Sequence, residues 1–290
     1  MRFDVFRAQG LGWPDFLADV LALEEAGAGT VWVADHYGWP PRPEWELLEA
    51  WTTLAGVAAA TKRIRLATAV TDASLRHPAL LAKQVATVDA ISGGRAELAI
   101  GAGFWEEELG WLGIPFLDGA GRAQRLREAV EIVDGLLREP PLTYEGEHWQ
   151  VRDAPLVPRP LQQPRPPLLV AANGRKGLRL AAERGDGALS LGDPGAGEEE
   201  AAAALRERNA FLDECCAELG RDPATLERAY YVGWAEERPF RSVGALRDFI
   251  GRYRDAGAER LLFVFAASDG DGANLTRQSL EIFAPEILSA

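Results

Sequence analysis

Short apolar runs alternate along the chain with longer stretches in which apolar residues recur every three or four positions. The runs Phe3–Phe6, Thr30–Ala34, Ile64–Thr71, Ala96–Ala102, Leu168–Ala172, Gly187–Leu191, Arg228–Trp234 and Arg260–Phe265 predict eight strands. Segments such as VWVA, LLVA and LLFVF are apolar throughout, the pattern of parallel strands covered on both faces. Between them, Phe16, Val20, Leu21 and Leu23, then Leu80, Leu81, Val85 and Val88, carry the spacing of amphipathic helices. Glycines close several of these helices before the next strand: Gly27 and Gly29, Gly93 and Gly94, Gly185, and Gly257. Eight strands alternating with helices is the arithmetic of an α/β protein of the (β/α)8 TIM-barrel type. A doubly wound open sheet has the same alternation, because strand order is not written in the pattern.

One segment breaks the rhythm. Residues 104–167 separate the fourth and fifth strands, far more chain than a usual crossover. They hold a helical pattern over Arg122–Leu137, then LTYEGEHWQV, two alternating runs that predict a hairpin around Glu145-Gly146. The proline-rich PLVPRPLQQPRPP that follows predicts an extended connector. A second irregular stretch, GDPGAGEEE at 192–200, enters an acidic helix. Both follow strands, so in a barrel both belong to the carboxyl-end face. The expectation is a single domain, residues 1–290, with an insertion between strands 4 and 5 at about 104–167.

Charge narrows the function. The 290 residues carry 31 basic and 44 acidic side chains, a net charge of −13, with 47 % hydrophobic residues, enough for a sizeable core. That balance argues against a nucleic-acid partner and against an anionic membrane surface. The amino-terminal MRFDVFRAQGLGWPDF has no apolar signal-type stretch, and no long uncharged apolar run occurs elsewhere, so a cytoplasmic protein is expected. Cys215 and Cys216 are adjacent in a helical pattern and suit neither a disulfide framework nor a metal knuckle. With only His36, His77 and His148, widely separated, no metal site is expected.

The candidate chemistry lies at the ends of strands. His36 follows Asp35 after the second strand, where barrel sites are built. An imidazole can give or take a proton near neutral pH. In GAGFW, residues 101–105, a dinucleotide fingerprint fails at Glu106, but Gly101 and Gly103 would let a flat ligand approach the fourth strand's end. Ala172, Asn173, Gly174, Arg175 and Lys176 follow the fifth strand and open a helix, whose free N–H groups suit a phosphate. Lys176 is one of three lysines. Trp39, Trp105 and Trp111 sit in loops after strands two and four, with Trp39 and Trp105 placed to wall a substrate pocket. Glu106, Glu107 and Glu108 read as a solvated helix start, Arg76 and His77 as structural, and His148 as a surface residue.

Together these pieces carry a resemblance. VWVADH at 31–36, EAWTTLAGVAAATKRIRLATAVT at 49–71, RHPALLAKQVATVDAISGGRAELAIGAGFWEEE at 76–108 and GIPF at 113–116 resemble the bacterial luciferase-like monooxygenase superfamily. Arg122 with LREAVEIVDGLL, then YEGEHW, APLVPRPLQQPRPPLLVAANG and LRLAAERGDGA, extend the likeness to residue 188, about two thirds of the chain. The branch it resembles is that of the F-420-dependent oxidoreductases. The resemblance implies a TIM barrel binding the deazaflavin coenzyme F-420, or FMN, and a homodimer. It implies that His36 faces the reactive edge of the ring, with Asp35 beside it. A non-prolyl cis peptide between Ala69 and Val70 is implied behind the central ring, with Thr71 following, as is a phosphate held at Ala172–Lys176. The common glycine-rich form of that loop is replaced here by Ala171, Ala172 and Asn173. The implied activity is hydride transfer between F-420 and a small organic substrate. A reduced-FMN-dependent monooxygenase is the alternative, and a catalytically silent flavin-binding barrel the second.

Overall fold

The computed structural model describes residues 1–10, 12–267 and 269–289. In chain order its elements are β1 (Arg2–Phe6), α1 (Trp13–Glu25), β2 (Thr30–Val33), α2 (Ala50–Ala60), β3 (Arg65–Thr68), β4 (Thr71–Asp72), α3 (Pro78–Ser92) and β5 (Leu98–Gly101). There follow α4 (Glu106–Trp111), α5 (Gly119–Arg138), β6 (Leu142–Glu145), β7 (Gln150–Ala154), β8 (Leu168–Ala171), α6 (Arg175–Arg184) and β9 (Gly187–Leu191). The last are α7 (Glu198–Leu219), β10 (Glu227–Tyr231), α8 (Val243–Asp255), β11 (Arg260–Val264) and α9 (Arg277–Ser289). Setting aside the β6–β7 hairpin, every strand or strand pair is followed by a helix, the expected alternation.

Local chemistry explains the boundaries. Pro78 occupies the first turn of α3, where its missing N–H is no loss, and His77 caps it by accepting from Ala79 N at 3.2 Å. Gly93 ends α3 with φ of 70°, a conformation glycine adopts without a Cβ penalty. The helix expected over 122–137 begins earlier, at Gly119, because Asp118 accepts from Gly121 N at 2.7 Å and caps it there. The strand expected over 64–71 is interrupted. It becomes β3 and β4, and the Ala69–Val70 peptide between them is cis.

The described residues form two compact units. One comprises residues 1–8, 17–32 and 170–290. Its strands are parallel: β1 pairs with β2 and β11, and β10 with β11 and β9, in registers such as Phe3↔Leu261 and Ala229↔Leu189. Its core buries Trp32, Phe249, Phe263 and Leu261. Buried Asp4 accepts from Trp32 Nε1 at 2.9 Å and meets Arg260 at 3.4 Å, so the interior charge is paired. Cys215 and Cys216 are both buried and unpaired by any disulfide.

The other unit comprises residues 9–16 and 33–169. Here β4 runs parallel to β5 through Thr71↔Ile100 and Asp72↔Gly101, and Leu66 of β3 bridges Ala96. The inserted hairpin β6–β7 is antiparallel, as expected, and is tied to α5 through two carboxylates, Glu131, which accepts from the Tyr144 hydroxyl at 2.7 Å, and Glu128. Buried Glu128 accepts from the backbone N–H groups of Glu147, His148 and Trp149 at 2.9, 2.9 and 3.0 Å. This unit holds the ends of β2, β4 and β5, and with them most of the candidate chemistry.

Candidate active site

His36 stands just past β2, and its ring is gripped from one side. Nδ1–H donates to Glu108 Oε2 at 2.9 Å, while Glu108 Oε1 accepts from Tyr37 N at 2.5 Å and lies 3.5 Å from Gly38 N. Among the described residues His36 Nε2 has no hydrogen-bond partner, so one ring nitrogen is committed and the other is available. That is the arrangement of a histidine oriented by a carboxylate. Glu108 was expected to be a solvated residue of a helix start; it is buried instead. Sequence reasoning missed it because three glutamates in a row look alike. The available signal was spacing: Trp105 and Glu108 are three apart, hence on one face of α4.

Beneath this pair lies a network of buried carboxylates. Asp35 receives both ends of the Arg76 guanidinium at 2.6 Å each, and Asp72 N at 3.2 Å. Arg76 also lies 3.6 Å from Glu49, which caps α2 by accepting from Thr52 N at 2.7 Å. Arg76 is thus structural, as expected, and Asp35 is held rigidly beside His36. Asp72 accepts from Ser74 N at 2.7 Å and from the Ser74 hydroxyl. Burial pushes its carboxyl above the ordinary value; the Ser74 bonds oppose this, and the neighbouring Asp35 and Glu108 carboxylates add to the rise. Arg125 on α5 is buried nearby and gives Pro115 O one bond at 3.3 Å, while its Nε and Nη2 have no partner among the described residues.

The cis peptide falls where the resemblance implied it. Ala69 N donates to Val33 O at 2.9 Å, and the cis Ala69–Val70 bond leads into Thr71. Thr71 Oγ1 is shared between Trp51 Nε1 at 3.3 Å and Thr68 Oγ1 at 2.6 Å, so its hydroxyl shapes the strand end from within. Gly101 O accepts from Ala73 N at 3.0 Å. Gly103 has φ of 72°, and a Cβ there would run into the Asp72 carboxylate, so no other residue fits. Trp39 and Trp105 pack with ring centroids 4.7 Å apart, at 5.3 and 5.6 Å from the His36 ring. His148, expected at the surface, is only partly exposed, and its Nε2 is buried without a partner.

The Ala172–Lys176 loop belongs to the other unit. Asn173 spends its side chain on β9, donating to Leu191 O and accepting from Leu191 N, both at 3.0 Å. Gly174 begins α6 without any side-chain cap, leaving first-turn N–H groups open, and a Cβ there would meet no protein atom within 4 Å. Arg175 stacks on Phe211 at 3.8 Å, and among the described residues Lys176 makes no ion pair. An uncapped helix start with local positive charge and space above it fits a phosphate. The tight approach in this loop is at Gly177, where a Cβ would come within 2.5 Å of Ala172 Cβ.

Comparison with known proteins gives the fold and the family. The structure matches that of an F-420-dependent secondary alcohol dehydrogenase, solved with an F-420–acetone adduct, at a TM-score of 0.82. The match covers 99 % of this chain and 98 % of that one at 19 % identity. The fold is therefore the α/β barrel expected from the strand and helix pattern. Residues 2–234 match the family described as luciferase-like monooxygenase, and the chain belongs to that family. One relative is the F-420-dependent glucose-6-phosphate dehydrogenase of Kineococcus radiotolerans, 36 % identical over 184 residues, or 63 % of this chain and 54 % of the relative. Another is the oxygenase component of the flavin-dependent trigonelline monooxygenase of Acinetobacter baylyi, 29 % identical over 222 residues, or 74 % of this chain and 58 % of the relative. The chain thus spans little more than half the length of these two relatives. No helix among the described residues is long and apolar enough to cross a membrane.

Proposed function

We propose that the chain is an F-420-dependent oxidoreductase that transfers hydride between the deazaflavin and a small organic substrate. The observation that carries this reading is His36, with Nδ1 committed to buried Glu108 and Nε2 left without a partner among the described residues. Hydride transfer from an alcohol needs a proton acceptor at the hydroxyl, and a carboxylate-held imidazole provides one. Ala172–Lys176 would hold the cofactor phosphate. Ala69, Val70, Thr71, Gly101 and Gly103 would bound the ring, with Asp35 fixed beside it by Arg76. When bound, the deazaflavin supplies a carbon that accepts or returns hydride. His36 Nε2 holds the substrate proton, Glu108 keeps the ring in the competent tautomer, and Trp39 and Trp105 exclude water from the reacting side.

The flavin-dependent relative supports a second reading, a reduced-FMN-dependent monooxygenase. Titrating the purified protein with F-420 and with FMN, side by side and read by fluorescence quenching, separates the two. Tight F-420 binding with weak FMN binding is expected; the reverse selects the monooxygenase. The same reading takes residues 1–290 as a single domain, working in the cytoplasm as a homodimer.

A further inference from the structure

The aromatic residues around His36 say which substrates that site would admit. Besides Trp39 and Trp105, Phe104 sets its ring edge-on to the imidazole at 6.1 Å. Phe104 is 49 % exposed, Tyr37 67 % and Trp111 42 %, all within two short stretches that flank the histidine and its carboxylate. Isolated exposed apolar residues are ordinary, whereas several large aromatics exposed together mark a surface kept for a ligand. Trp111 is laid against the loop backbone, since a Cβ at Gly38 would stand 3.0 Å from its ring. Glycine at 38 therefore sets how closely this wall approaches.

Carboxylates predominate beside the aromatics. Glu108, Asp35 and Asp72 are buried within reach of one another, and Glu106 and Glu107 are exposed on the first turn of α4. Of the nearby cations, Arg76 is consumed by Asp35 and Glu49, and Arg125, whose Nε and Nη2 have no partner among the described residues, is buried away from the surface. An anionic substrate would meet repulsion from the exposed Glu106 and Glu107 here.

We infer that the substrate is an uncharged, largely apolar alcohol, or the carbonyl compound formed from it, and not a phosphorylated sugar. This rests on the hydride-transfer reading above. In the oxidation the O–H bond breaks and its proton passes to His36 Nε2. The carbinol C–H hydrogen leaves with its electron pair to the deazaflavin, and a carbonyl forms. The substrate loses two electrons and two hydrogens, and the cofactor and the histidine account for all of them.

The test uses the full chain with cyclohexanol, benzyl alcohol and glucose 6-phosphate as probes. Two readouts apply: F-420 reduction, and the intrinsic tryptophan fluorescence of the chain without cofactor. The alcohols should be oxidised and should shift the fluorescence, and glucose 6-phosphate should do neither. Phe104→Ser should raise KM for cyclohexanol about tenfold while kcat changes little, with the melting curve checking that the variant folds. Preferred turnover of glucose 6-phosphate, or inorganic phosphate competing with the alcohol through Arg125, overturns the substrate class while leaving the cofactor reading in place. A chain that binds no F-420 but whose fluorescence still responds to the alcohols alone overturns the cofactor and keeps the substrate class.

Discussion

Glu108→Gln is the sharpest perturbation of the His36 pair, because it replaces one carboxylate oxygen with an NH2 group at almost no change in volume. Glu108 Oε1 sits 2.5 Å from Tyr37 N and must remain an acceptor, so the new amide turns its carbonyl there and its NH2 toward His36. An NH2 group only donates. Facing Nδ1, it forces that nitrogen to carry the lone pair and moves the ring proton to Nε2. The imidazole then offers substrate a donor where oxidation needs an acceptor. Loss of a general base lowers turnover about 100- to 10,000-fold, equivalent to about 3–5 kcal/mol of barrier. The fold should lose only about 1–2 kcal/mol, since the bond to Tyr37 is kept and one charge-assisted bond is weakened.

The assay is kcat/KM for F-420 reduction by the best alcohol, with cofactor affinity and melting temperature measured on the same samples. A double-mutant cycle separates a positioning role from mere support of the fold. If Glu108 acts through His36, the His36→Ala, Glu108→Gln double variant should be no slower than His36→Ala alone. A Glu108→Gln enzyme within about threefold of the parent, or a double variant whose losses multiply, would refute the tautomer argument.

Three further outcomes are expected. Gly174→Val should weaken cofactor binding with little change in melting temperature, because a Cβ there meets no protein atom within 4 Å and would crowd only the proposed phosphate; Gly177→Val should destabilise the fold through Ala172, as calorimetry would show. Burial pushes the Glu128 carboxyl up, but the bonds from His148 N, Gln124, Glu147 N and Trp149 N outweigh it and hold the carboxyl below its ordinary value of 4.5. A lowered folded-state value stabilises above the unfolded value and is lost as pH falls through the folded one, so the stability gap to Glu128→Gln should be full at neutral pH and close in acid. Light scattering at micromolar concentration should give twice the 31.5 kDa chain mass if the homodimer assignment holds.

What could be read from the sequence was mostly what depends on neighbours along the chain. Strands such as β8 and β9 fell within a residue of expectation, because a run like LLVA bounded by proline and helix signals has few other uses. The end of β2, Gly103 and the uncapped start of α6 were found for the same reason: each is a local feature of a strand or helix end. The break in the third strand was not found from periodicity, since RLATAV is as apolar as any continuous strand; only the resemblance implied it. Pairings across long separations were invisible too. Arg76 reaches Asp35 across 41 positions, and Glu108 reaches His36 across 72, and no spacing rule connects them.

The misreading of Glu108 shows where such a reading breaks down. Glu106, Glu107 and Glu108 have the same side chain and nearly the same neighbours in sequence, yet two face solvent and one is buried against an imidazole. What distinguishes them is rotation about α4: about 100° per residue carries position 108 onto the face shared with Trp105 and the His36 loop. The helix is short, six residues, so no repeat builds up to reveal its inner face. The role of a carboxylate here is therefore set by helical phase, which three adjacent glutamates conceal. The same phase argument makes Glu106→Gln and Glu107→Gln the proper controls for Glu108→Gln. Both remove an identical charge from the same turn, so if the tautomer of His36 is what matters, neither should lower turnover as Glu108→Gln does. If all three lower it equally, the local negative potential is responsible and the hydrogen bond to His36 is not.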